Sequence, residues 1–179
     1  MVRLNASPAL LRLSYVIAYV ASLIAGLWWF VSGSAFTIVT YIYGEDPRAS
    51  LVDGQLKLAV VCLSTVLVHY FFSRPSVARQ LNPRVARIFS RVSIGAAAPF
   101  ALVAGALGLF GGVGLDPGTP FPWWQWFWTA LAWVLPLFAV AVGSISVSAA
   151  VAGRPSSATA WQISFLALVP LVMILSALR

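Results

Sequence analysis

One histidine and one cysteine are the side chains of this sequence best suited to chemistry, and they fall on the same predicted helix. Cys62 and His69 stand seven residues apart. That spacing puts them on one face, about 10.5 Å apart along the axis. A nucleophile and its base, or two ligands of one metal ion, must approach to about 3 Å. The spacing therefore argues against a Cys/His dyad and against a shared metal site, and a lone cysteine closes no internal disulfide. His69 precedes Arg74 by five residues and is followed by Tyr70, Phe71 and Phe72. A neutral imidazole among aromatic rings is suited to be an axial ligand of a haem or a (bacterio)chlorophyll. The plainer reading is a packing histidine hydrogen-bonded to Thr65, one turn back.

A second set of candidates is aromatic. Trp123, Trp124, Trp126, Phe127 and Trp128 crowd the start of one hydrophobic run. Indole rings favour the headgroup boundary, so an interfacial belt is the simple explanation. Successive helical residues point about 100° apart, however, so these rings cannot all face lipid. Trp124 and Trp128 are the candidates to line a quinone or carotenoid cleft. Small residues form two ridges on another run, Ala97, Ala101 and Gly105, then Ala104, Gly108 and Gly112. Small residues four apart let a second helix come close. Arg84, Arg87 and Arg91 share a helical face next to them, where anionic lipid headgroups would sit.

The elements that must position these residues are membrane-spanning. The chain of 179 residues is 61% hydrophobic and 8% charged, with a mean hydropathy of +0.94. Soluble domains carry about 25% charged residues. Charge-free runs at 13–44, 58–73, 92–115, 117–153 and 155–178 give five crossings, each close to the roughly 20 apolar residues a bilayer requires. Backbone groups in hydrocarbon need internal partners, and no period-2 alternation suggests a barrel, so the expected fold is all-α.

The expected helices are 13–43, 52–73, 84–112, 123–151 and 157–178, in a single domain spanning 1–179. The first is read as a retained helix rather than a targeting segment. Its 32-residue charge-free run would be roughly 48 Å long, so it either projects from the bilayer as far as Gly44 or breaks near Gly33. Asn82 and Pro83 read as the cap and first residue of the third helix. Pro136 sits inside the fourth, and Ser144, Ser146 and Ser148 near its end are expected to bond backbone carbonyls. With the N-terminus inside, eight basic residues fall on the inner side and three outside. The positive-inside rule then places the N-terminus in the cytoplasm and the C-terminus outside. All four carboxylates, Glu45, Asp46, Asp53 and Asp116, fall on the outer side.

That distribution restricts function. Proton pumps and ion-coupled carriers use titrating groups within the membrane, and here every Asp and Glu is expected in an outer loop. No P-loop, HExxH or GxSxG motif occurs. The expectation is therefore no catalytic activity, and a small accessory subunit of a larger membrane complex, packed against other membrane subunits and lipids, anionic lipids included. The alternatives are a subunit binding haem, chlorin, carotenoid or quinone through His69 and the aromatic cluster, and a small channel or carrier for a neutral solute along Ser144, Ser146, Ser148 and the Pro136 kink. The five arginines between 74 and 91 answer to topology and lipid, not nucleic acid. Ten arginines to one lysine suggest a GC-rich bacterial genome and hence a bacterial inner membrane.

Overall fold

A computed structural model describes the backbone of residues 7–43, 48–114 and 123–177, and the side-chain surroundings of residues 7–34, 54–106 and 127–175. The described chain is helical: α1 (Pro8–Tyr43), α2 (Arg48–Ser73), α3 (Pro75–Ala78), α4 (Pro83–Gly114), α5 (Trp123–Val151) and α6 (Pro155–Ala177). Five of these are long and apolar enough to cross a membrane.

Prolines set several of the starts. Pro8, Pro75, Pro83 and Pro155 each open a helix, where a missing N–H costs nothing and a fixed φ helps. This explains why α6 begins two residues ahead of the expected position. Asn82 caps α4 as its sequence implies, accepting a bond from the Arg84 backbone N–H at 2.9 Å. The short α3 was not expected. It turns the chain between α2 and α4, burying Ala78 and, just beyond it, Leu81. The turn from α5 to α6 is a glycine stop: Gly153 has φ 79°, with Gly153 N–H bonded to Ala150 O and Arg154 N–H to Ala149 O. Only glycine takes that conformation without strain, and the paired bonds satisfy the last carbonyls of α5.

Two long-helix expectations resolve clearly. α1 runs without a break through Gly33 to Tyr43, so the alternative of a break at that glycine does not occur. Gly33 instead lets α1 lie against α5, since a Cβ there would stand 3.2 Å from Trp133. α5 continues through Pro136, and α4 and α6 likewise contain Pro99 and Pro170. Neighbouring helices and local adjustment make such prolines tolerable in membranes.

α5 is the hub. It packs against α4, α6, α2 and α1, and 61% of its apolar window is buried, against 17% for α1 and α4, 39% for α2 and 28% for α6. One apolar cluster joins α1, α4 and α5 around Phe30, Ala97, Ala104, Trp133 and Leu137. A second joins α2, α5 and α6 around Cys62, Val66, Leu135, Phe165 and Val172. A third, around Tyr15, Phe72, Leu81, Ala86 and Val147, gathers the helix ends near the arginines. The helix order alternates up and down: α1, α4 and α6 start at the arginine-rich end, tied there by Arg12 to Gln80 and by Gln162 to Ser73.

Candidate functional site

The interior polar groups gather on the half of the bundle nearer the arginines. On α2, Thr65, His69 and Ser73 recur every four residues and so share a face; all three are buried. His69 is 1% exposed. Its Nδ1 lies 2.8 Å from the Thr65 carbonyl oxygen. A carbonyl can only accept, so Nδ1 carries the proton, and in the neutral ring Nε2 presents a bare lone pair. Among the described residues nothing bonds that nitrogen.

The ring rests on Gly143 of α5. A Cβ at that position would lie 2.5 Å from His69 Cγ, 2.8 Å from Cβ and 2.9 Å from Cδ2, closer than carbon atoms pack. One turn further along α2, Ser73 Oγ donates to Tyr70 O at 2.9 Å and accepts from Gln162 Nε2 of α6 at 3.3 Å.

A second polar knot joins α1, α4 and α5. Ser93 Oγ stands 2.8 Å from Phe89 O, 3.0 Å from the Tyr19 hydroxyl and 3.2 Å from Ser144 Oγ. Each hydroxyl has one proton. Tyr19 OH also donates to the Phe89 carbonyl at 3.2 Å, so the phenol, the two serine hydroxyls and that carbonyl form one network in which Phe89 O only accepts. Tyr19 also stacks flat on Phe89, with centroids 3.9 Å apart. Ser146 bonds the Val142 carbonyl at 2.8 Å, as expected of a helical serine, whereas Ser144 reaches across to another helix. Tyr15 OH and Trp29 Nε1 are further buried polar atoms without a partner among the described residues.

The other sequence candidates separate. Cys62 is buried in the α2–α5–α6 cluster, two helical turns from His69. Trp128 packs against that same cluster, edge-on to Phe127 at 5.3 Å, so one indole of the group does face protein. Trp124 lies in α5, but its side chain is outside the described part, as are the surroundings of Gly108 and Gly112. Ala97 and Ala104 are buried against α5, and Ala101 packs beside them. Among the described residues, a Cβ on Gly105 would meet nothing within 4 Å. Arg84, Arg87 and Arg91 are exposed.

Sequence reasoning missed the glycines that matter for packing within the chain. Gly143 holds His69, Gly33 receives Trp133, and a Cβ on Gly26 would stand 3.0 Å from Leu137. Gly26 and Gly33 are seven residues apart and so share a face, which is a readable signal. Gly143 carries no comparable pattern.

Fold and interior together define a five-span α-helical membrane protein whose buried polar side chains tie its helices to one another. No family model matches the chain, and no characterised protein or solved structure is significantly similar to it.

Proposed function

We propose that this protein is a small non-catalytic subunit of a larger membrane assembly. The observation that carries this reading is the contrast between one buried helix and its poorly buried neighbours. α5 buries 61% of its apolar window inside the chain, while α1 and α4 each bury 17%. On α1, Leu10, Leu13, Ile17, Val20, Ile24 and Val31 are all exposed, with exposed Ser14, Ala21 and Ala25 beside them. Large and small residues mixed on one face suit packing against another helix, where van der Waals fit drives association in lipid. Gly105, which meets no described residue where a Cβ would point, suits the same role on α4. We place the arginine-rich end in the cytoplasm of a bacterial cell, on the eight-to-three distribution of basic residues.

The test is gentle solubilisation from native membranes, with a photo-crosslinker at Ile17 or Leu102. Discrete crosslinks to a defined second polypeptide support the reading. A monomer that carries out solute flux by itself overturns it.

A second reading has its own support. The bond from Nδ1 to Thr65 O leaves His69 in the tautomer that an axial ligand to haem iron or chlorin magnesium uses, with the other nitrogen fixed by a backbone carbonyl. The ring is buried between α2 and α5, so loading such a cofactor requires those helices to part. Visible absorbance that survives mild purification and vanishes in His69→Ala supports it; a colourless protein counts against it.

A further inference from the structure

We propose that the corner where α1, the α3–α4 loop and the first turns of α4 meet binds the headgroup of an anionic phospholipid. This inference does not depend on the subunit reading. It begins from a charge imbalance: no Asp or Glu occurs in residues 54–115 or 117–179. Among the described residues, the exposed arginines Arg12, Arg79, Arg84 and Arg87 have no carboxylate at their own end of the bundle, and the first turns of α1 and α4 contain none either.

The fold draws these arginines together. Arg12 Nε donates to the Gln80 carbonyl at 2.9 Å, which ties α1 to the residue beside Arg79 and engages one of the five guanidinium donors. Two residues on, Asn82 caps α4 and sets Arg84 in its first turn. Arg87 Nε folds back to the Pro83 carbonyl at 3.3 Å. Guanidinium groups, whose fork matches phosphate oxygens, thus reach the backbone on both sides of the α4 start, Arg12 at Gln80 and Arg87 at Pro83. Immediately toward the bilayer lie exposed Leu13 on α1 and Ile88 and Val92 on α4, at 55%, 55% and 47%. Basic groups at the headgroup level with apolar surface below them fit a molecule that is anionic at one end and acyl at the other. A free anion would make no use of the apolar part.

The experiment is native mass spectrometry of the full chain titrated with phosphatidylglycerol, phosphatidylcholine or inorganic phosphate. Retained phosphatidylglycerol, little phosphatidylcholine and no competition by phosphate are expected. The double variant Arg12→Gln/Arg84→Gln should weaken phosphatidylglycerol binding about fivefold per arginine. Arg12→Lys/Arg84→Lys, which keeps the charge but not the fork, should bind more tightly than the glutamine pair and less tightly than the unsubstituted protein, which separates loss of charge from loss of fold. Arg154→Gln, at the same end on the α5–α6 turn, should have little effect. Equal weakening by Arg154→Gln would show diffuse attraction and overturn a defined site. Displacement by phosphate, or equal retention of phosphatidylcholine, would overturn it as well.

Discussion

The imidazole of His69 occupies the space in which residue 143 would otherwise carry a side chain: a Cβ on Gly143 would stand 2.5 Å from His69 Cγ. Neither residue is informative without the other. A histidine deep in a span suggests a ligand, and a glycine in a helix suggests flexibility; together they are a knob and its notch between α2 and α5. Gly143→Ala should therefore destabilise the protein by about 1–3 kcal/mol, as overpacked cores do. The measurement is a detergent-denaturation midpoint. In a His69→Ala background the penalty should shrink without vanishing, because the 2.8 Å approach to His69 Cβ survives truncation of the ring. An unchanged penalty would mean that the ring is not what fills the notch.

The tautomer of His69 is directly observable. It is the sole histidine, so nitrogen-15 labelling of histidine gives one imidazole to assign. Near neutral pH the bond to Thr65 O requires a protonated Nδ1 and leaves Nε2 unprotonated. The reverse assignment would contradict the bond to Thr65 O and remove the support for a metal-ligand role.

Ser93 ties three helices together through Tyr19, Ser144 and its own Phe89 carbonyl. Interhelical hydrogen bonds in membranes average about 0.6 kcal/mol and reach about 1.7. Ser93→Ala should thus cost about 1 kcal/mol in the same denaturation assay. Tyr19→Phe should cost less than Ser93→Ala, because Ser93 keeps Ser144.

Cys62 is 1% exposed. A membrane-permeant maleimide should leave it unmodified in the native protein and label it fully after denaturation. Rapid native labelling would show that α2 does not pack on α5 and α6 as described.

Gly105 provides a contrast with Gly143. With no described residue within 4 Å of where a Cβ would point, Gly105→Ala should be neutral in the isolated chain or stabilise it by up to about 1 kcal/mol, the helix-propensity gain. If α4 meets a partner there, Gly105→Leu should leave the isolated fold intact and reduce recovery of the complex.

Much of this architecture could be read from the order of the residues. Charge-free runs gave five spans because the bilayer imposes length and apolarity on every crossing, a constraint each segment meets locally. Asn82-Pro83 gave a helix start for the same local reason. The interior was less legible. That His69 bonds Thr65 is an i, i+4 relationship and was readable; that it rests on Gly143 depends on which face of α5 meets α2, and a helix apolar all round has no moment to reveal this. Of the ridge Ala97, Ala101 and Gly105, the first two pack in the α1–α4–α5 cluster, and the spacing of small residues marks a possible close approach without saying which helix makes it. Ser144 departed from its expected carbonyl bond because Ser93 lies opposite, a neighbour fifty-one residues away.

The measurement that bears most directly on the central claim is the mass of this protein as released from its native membrane in a mild detergent. The expected result is a discrete complex in which the chain is present at fixed stoichiometry with at least one other polypeptide, weakened by Gly105→Leu. A single 19.2 kDa chain, alone at every detergent concentration and active in flux when reconstituted, would contradict it.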